Sequence, residues 1–349
     1  MFPETFAEQW IDRLTKVGQT VLDPFSGRGT TACQAVLMER RAVACDVNDV
    51  AYCLTKAKVC APSESIVFDR LRATKHKYRS TRWTNRAKEC PEFFKHAFAE
   101  STLAQLLFLR EALEWRTRRS DAMLAALVLG ALHGDNTPRY LSNQMPRTIS
   151  TKPRYSVNFW KKRGMAPPER DVFDVVEHYI AFRYESERPR GDALILHTDM
   201  RDLPRKVDPV KYPVRCVITS PPYFDVTNFE EDQWLRLWFL GGPPMPSAGR
   251  LSRDDRYSFE PKYWSFIADM WRSIAGFAQK NTDVIIRIGS SRIEPEHLSR
   301  LLHLSARVTN RKVRLVSKDV SELQRRQTDA FRPGTVGCRV EVDCHFNIA

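Results

Sequence analysis

The sequence predicts an α/β fold with an inserted, mainly helical region, and three observations lead there. Short apolar runs alternate with longer helix-period stretches between residues 20 and 59 and again after residue 191, the pattern of parallel strands buried on both faces. The first run, Val21–Leu22, leads into Asp23-Pro24-Phe25-Ser26-Gly27-Arg28-Gly29 and then Thr30-Thr31, which reads as strand, glycine turn and helix start. From Cys60 to about Gly191 the strand-like runs stop and helical stretches follow one another.

The glycine turn is the centre of the pattern. Two glycines around one residue let the backbone turn sharply and let a ligand approach without a Cβ in the way. A threonine can cap the helix that follows. Strand, turn and helix N-terminus together make a cradle for a small ligand, although a plain tight turn also explains a Gly-x-Gly taken alone. Upstream, Phe6, Trp10, Ile11 and Leu14 are spaced for one face of a short helix. Downstream, Thr30–Arg40 reads as a helix and Ala42–Val47 as a second buried strand carrying Asp46 near its end. A carboxylate there is placed to accept both hydroxyls of a ribose, or to cap the helix over Asp49–Val59.

The middle of the chain reads as helices over Ser63–Arg79, Pro91–Ala99, Ser101–Arg118, Asp121–Leu132 and Asp171–Glu187. The first is rich in cations (Arg70, Arg72, Lys75, Lys77, Arg79), and the run continues through Arg82, Arg86 and Lys88 around Trp83, as a phosphate-tracking or simply a solvated face. Arg139–Arg163 contains no Asp or Glu. Pro138, Pro146 and Pro153 predict a loop there. Guanidinium and amide groups can read base edges, and aromatic rings can stack on bases. Arg139, Arg147, Lys152, Arg154, Tyr155, Trp160, Lys161 and Lys162 are therefore candidate DNA contacts, against the alternative of a basic connector whose aromatics pack on the core.

Strands resume with Ala193–Leu196, Val214–Thr219, Asp283–Ile288, Lys312–Ser317 and Arg339–Phe346, with helices over Glu230–Leu240, Tyr263–Gln279 and Pro295–Arg307 between them. The chain of 349 residues carries a formal charge of +13, which points to a polyanionic partner or to a generally basic surface. Its eight cysteines form no Cys-x-x-Cys pair and read as free thiols of a reducing compartment, with no metal site. No run is long and apolar enough to span a membrane, and the first residues lack a secretory pattern. A cytoplasmic, nucleoid-associated location is expected.

Asp23–Thr31 resembles the S-adenosylmethionine (AdoMet) loop of the DNA amino-methyltransferases, Asp-Pro-Phe-x-Gly-x-Gly-Thr-Thr, with Arg28 where that pattern most often has Ser. Thr219-Ser220-Pro221-Pro222-Tyr223 resembles the catalytic Ser-Pro-Pro-Tyr of the same enzymes. Cys45-Asp46-Val47-Asn48 is similar to their Gly-Ile-Asp-Ile-Asn, and Thr198-Asp199-Met200-Arg201-Asp202-Leu203 to their Gly-Asp-x-Arg-x-Leu, with Thr198 in place of Gly. The resemblance implies a Rossmann-like sheet of seven strands, the last antiparallel, and AdoMet as cofactor. It implies cofactor contacts from Phe2, Pro3, Asp23, Pro24, Phe25, Ser26, Gly27, Gly29, Thr30, Thr31, Asp46 and Asp199. It implies catalysis by Ser220, Pro221, Pro222 and Tyr223 on a base flipped out of duplex DNA.

Ser in the first motif position favours cytosine N4 over adenine N6, and the absence of any Pro-Cys dipeptide disfavours chemistry at cytosine C5. An RNA guanine-N2 methyltransferase and a non-catalytic DNA-binding subunit are the alternatives. The resemblance covers residues 1–59 and 192–349. Residues 1–60 and 191–349 are thus expected to form the catalytic domain. Residues 61–190 are expected to form a target-recognition region, since the motif order is cofactor loop, insertion, catalytic motif. The partner expected is double-stranded DNA, with a cognate restriction endonuclease left open.

Overall fold

A computed structural model describes residues 2–145, 152–186, 191–224, 229–246, 259–322, 338 and 340–349. The chain divides into two compact units: Met1–Val59 with Pro189–Thr227 and Leu251–Ala349, and Cys60–Arg188 with Asn228–Arg250.

The first unit is built on one sheet of seven strands: β1 (Thr20–Asp23), β2 (Arg41–Asp46), β3 (Ala193–His197), β4 (Val214–Thr219), β5 (Ala278–Gly289), β6 (Val313–Glu322) and β7 (Val340–Ile348). Their order is β3-β2-β1-β4-β5-β7-β6. The first five are parallel, and β7 runs antiparallel to both β5 and β6. This is the mixed α/β sheet that the sequence predicts. The central strands are buried on both faces, which is why they read as continuous apolar runs. β5 starts earlier than the apolar run Asp283–Ile288 suggests. A register shift opposite Val214 and a left-handed Asn281 (φ 62°) let Ala278 pair before the regular ladder begins.

Helices α1 (Glu4–Leu14), α2 (Thr30–Leu37) and α3 (Asp49–Val59) belong to this unit, as do α11 (Leu203–Lys206), α13 (Glu260–Phe277) and α14 (Pro295–Ser305). On α13, Tyr263, Phe266, Ile267, Met270, Trp271, Ile274 and Phe277 recur at three- and four-residue spacing and are all buried. They join Val217, Ile286, Ile288 and Phe346 in the main core. The sheet order reverses between β1 and β4, so the carboxyl ends of these two neighbours border the crevice where open α/β sheets take ligands.

The second unit is helical: α4 (Glu64–Lys77), α5 (Ser80–Lys88), α6 (Glu92–Ala97), α7 (Glu100–Ala112), α8 (Arg119–Ala131), α9 (Pro153–Lys162), α10 (Val172–Tyr184) and α12 (Phe229–Phe239). The sequence reading places α12 with the sheet. In the structure its Trp234 and Trp238 are buried, with ring centroids 5.0 Å from Phe93 and 4.5 Å from Phe94, so it clusters with the insertion instead. Part of the cationic run is internal. Arg70 holds the buried Asp121 through two bonds, Nε–Oδ1 at 2.6 Å and Nη2–Oδ2 at 2.8 Å. Lys75 pairs with Asp174 and Arg86 with Glu111.

The stretch 139–163 is not all loop, contrary to the expectation from its prolines. Pro153 is the first residue of α9, where a missing N–H costs nothing because that group has no helical partner. Trp160, expected to contact DNA, is fully buried. Its Nε1 donates to the Gln144 carbonyl at 2.6 Å, and its ring lies 5.6 Å from Phe93. Such a ring holds the unit together and does not meet a base. Arg147 lies outside the described residues. Trp160→Ala should accordingly lower the unfolding free energy by about 3–5 kcal/mol, the range for emptying a core aromatic site. A urea titration followed by circular dichroism measures this.

Candidate active site

β1 ends in Asp23, whose buried carboxylate organises the loop that follows. Its Oδ1 accepts the Phe25 N–H at 3.1 Å and the Thr219 hydroxyl at 2.6 Å. Burial pushes this carboxyl up to about 6, against the pull of those two donors. Thr31, in the first turn of α2, donates its hydroxyl to the Ile218 carbonyl on β4 at 3.2 Å. The two motifs are thus tied together by direct bonds across neighbouring parallel strands.

Between these ties the loop turns on its glycines. Gly27 (φ 50°) and Gly29 (φ 75°) both occupy the left-handed region. At Gly29 there is a second reason, because a Cβ would stand 3.0 Å from the Cα of Thr55 on α3. The Ser26 N–H bonds the Cys45 carbonyl at 2.9 Å, and Gly27 N–H bonds Asp46 Oδ2 at 2.9 Å. Arg28, the departure from the resembled pattern, is exposed, and its carbonyl accepts from Lys58 Nζ at 2.8 Å.

Asp46 closes the far side of the cradle. Its other oxygen accepts the Asn48 N–H at 2.9 Å. Burial raises the carboxyl, opposed by the N–H groups of Asn48 and Gly27 and by His197. A carboxylate has about four acceptor sites, so the backbone N–H groups that reach Asp46 leave room for a hydroxyl donor. Capping falls to Asn48, whose Oδ1 accepts from Val50 N at 2.9 Å and Ala51 N at 3.2 Å.

A glycine cradle, the amino end of α2 and a carboxylate with spare lone pairs fit a nucleoside-type ligand such as AdoMet. Thr30 and Phe25 are half-buried at this cradle, while Pro24 and Ser26 are buried. Phe2 is buried against Phe6 at 4.8 Å, and Pro3 is exposed at the start of α1. Asp199 is already engaged. It caps the turn at Met200–Asp202 and grips Arg201 through Nε at 2.8 Å and Nη2 at 2.7 Å.

Ser220-Pro221-Pro222-Tyr223 leaves β4 at the same edge, with Pro221 buried and the other three half-buried. The Tyr223 hydroxyl donates to Glu341 Oε1 at 2.8 Å. Burial lifts this phenol well above its usual range, and the Glu341 carboxylate adds to the effect. Glu341 also meets Arg287 Nη1 at 3.5 Å. Arg287 binds Asp343 through two 2.6 Å bonds and lies 4.0 Å over the Phe6 ring. Sequence reasoning missed Glu341, Arg287, Asp343 and Gly289. The available signal was charge inside apolar strands: Glu341 and Asp343 stand two apart in V-E-V-D-C-H-F, and Arg287 interrupts D-V-I-I-R-I.

Residues 1–57 match the N6_N4_Mtase family model, described as DNA methylase. No curated protein matches the chain in sequence. Among solved structures the fold is similar to TrmN from Thermus thermophilus (TM-score 0.38, 10% identity, 100% of this chain and 49% of that one). It is similar to an rRNA methylase from Streptococcus thermophilus (0.37, 7%, 100% and 98%). It is also similar to the rRNA methyltransferase aviRa from Streptomyces viridochromogenes (0.33, 13%, 99% and 85%). The chain spans about half the length of TrmN. The segment matched by the family model holds the glycine cradle and Asp46, and it supports an AdoMet-dependent methyltransferase.

Asp23 supplies a pH test. Folded, it binds its proton more tightly (about 6) than at the ordinary 3.8. Its favourable contribution is therefore complete below pH 4 and is lost as pH rises through 6. Relative to Asp23→Asn, the wild-type unfolding free energy should fall by about 3 kcal/mol across that window and run parallel outside it. Urea unfolding at a series of pH values reads the difference.

Proposed function

We propose that the chain transfers a methyl group from AdoMet to an exocyclic amine of duplex DNA, with cytosine N4 the leading acceptor. The observation that carries this reading is the meeting of Asp23–Thr31 and Ser220–Tyr223 at the carboxyl ends of β1 and β4, tied by the Thr219–Asp23 and Thr31–Ile218 bonds. Asp46 would accept the ribose hydroxyls, and the loop around Gly27 and Gly29 would let the cofactor lie close to the backbone. When bound, AdoMet supplies a methyl group already activated by its sulfonium.

The remaining work falls to the residues after β4. An exocyclic amine shares its lone pair with the ring and is a weak nucleophile. Acceptors set against its hydrogens localise that pair and aim it. Ser220 Oγ and the Pro221 carbonyl are the acceptors proposed, and the two prolines remove competing N–H donors and hold φ fixed. The same acceptors bond the amine hydrogens as the nitrogen gains positive charge, the S–CH3 bond breaking to leave a neutral thioether, before the methylated amine gives up one proton to solvent. Tyr223 offers a ring face for a base taken out of the stack.

On α9, Arg154, Tyr155, Asn158, Lys161 and Lys162 are exposed along one stripe, with Ser156, Val157 and Trp160 buried opposite. Lys161 is already paired with Glu92. A helix of this size is about 15 Å long. B-DNA's major groove is about 12 Å wide and admits a helix, and Arg and Asn are the side chains that pair two-pronged with guanine and adenine edges. We propose this stripe, joined by Arg139 and Lys152, as the DNA-reading surface.

Labelled AdoMet incubated with duplex DNA, followed by digestion to nucleosides, should place the label in N4-methylcytosine. Label in N6-methyladenine would move the acceptor. Label in 5-methylcytosine, or in no nucleoside, would reject the reading. Arg154→Ala and Asn158→Ala should each weaken DNA binding by about 1–3 kcal/mol while leaving AdoMet affinity unchanged. Fluorescence anisotropy and calorimetry measure the two.

A further inference from the structure

We infer that Glu341 is a positioning residue for Tyr223, one that fixes the plane of the tyrosine ring before a base arrives. The inference rests on the methyl-transfer reading above. Stacking needs only the ring, so a phenylalanine at 223 would do as well by that criterion. The hydroxyl has another use, since it donates to Glu341 Oε1 at 2.8 Å. Glu341 itself is held from behind. Arg287 Nη1 stands 3.5 Å from its other oxygen, Asp343 clamps Arg287 from β7, and the Phe6 ring lies under the guanidinium.

Two further features make the arrangement specific. The side chains of Arg287, Glu341 and Asp343 are only 12%, 6% and 11% exposed, so two carboxylates share one guanidinium in a poorly solvated place. Glu341 therefore needs another donor, and the Tyr223 hydroxyl supplies it through a charge-assisted bond. Gly289, opposite Glu341 in the β5–β7 ladder, leaves space for the ring. A Cβ there would stand 2.9 Å from Tyr223 Cε2 and 2.4 Å from Cys338 Sγ. The ring is thus seated on a glycine and pinned at its far end. A preset ring spares the site the entropy of orienting it when the base enters.

The test compares wild type, Tyr223→Phe, Glu341→Ala, Glu341→Gln and the double variant Tyr223→Phe/Glu341→Ala. The readouts are kcat and KM for duplex DNA, AdoMet affinity by calorimetry and urea midpoints. Tyr223→Phe and Glu341→Ala should each lower kcat/KM about tenfold, with AdoMet affinity within about twofold of wild type. The double variant should be no worse than either alone, since both remove the same bond. Glu341→Gln, whose amide oxygen can still accept the phenol, should regain most of the activity and also covers poor folding of Glu341→Ala. Additive losses near a hundredfold in the double variant would overturn the inference, as would Glu341→Gln failing as badly as Glu341→Ala. A wild-type chain inert on DNA would overturn the proposed function first and this inference with it, whereas additivity in an active enzyme overturns the inference alone.

Discussion

The bond from Thr219 Oγ1 to Asp23 Oδ1, 2.6 Å long and 196 positions apart in sequence, marks the constraint on which the rest of the structure depends. It can form only because β1 and β4 are parallel neighbours, and they are neighbours because the chain winds outward in one direction through β2 and β3 and in the other through β4 and β5. Open α/β sheets take ligands at such a reversal, outside the carboxyl ends of the strands, and both loops leave the sheet at that edge. The insertion falls in the connection between α3 and β3. Because β3 is the edge strand, extra chain there leaves the β1–β4 register untouched.

The polar groups at this edge divide into those that build and those left to act. Asp23 is spent on structure, with one oxygen taken by Phe25 and Thr219 and the carboxyl lifted by burial. Asp46 is less buried and takes the N–H groups of Gly27 and Asn48 on separate oxygens, which aims the group without saturating it. Asp199 resembles a cofactor ligand in sequence, yet both of its oxygens bond Arg201. At one edge of the sheet the same residue type thus serves as loop anchor, acceptor of backbone N–H groups and turn cap, according to which donors face it.

Local signals explain what was legible in the sequence. Buried parallel strands read as apolar runs, and Gly27 and Gly29 announce a left-handed turn that side chains rarely adopt, so the seven-stranded sheet and the cradle are legible in the sequence. What escaped depends on distant partners. Pro153 breaks a helix in the interior but starts one at its first position, and only the packing of Trp160 on Phe93 decides between the two. Likewise the exposure of Trp160 is set by Gln144, whose carbonyl takes the indole N–H. Glu341 gave a faint signal, a charge in an apolar strand, but its meaning lies in Arg287 and Tyr223 on other segments.

The positive charge must be read in the same position-by-position way. The surplus of +13 suggests a uniformly attractive surface for a polyanion. Yet Arg70 is committed to the buried Asp121, Arg287 to Asp343, Lys75 to Asp174 and Arg86 to Glu111. Removing any of the buried pairs' cations would first cost stability, so a loss of binding in such a variant says little about contact. The stripe on α9 differs because its cations share a face with Tyr155 and Asn158 while the opposite face is seated in the unit by Val157 and Trp160. A rigid helix with a mixed cationic, aromatic and amide face has the chemistry for reading edges as well as for attracting phosphates.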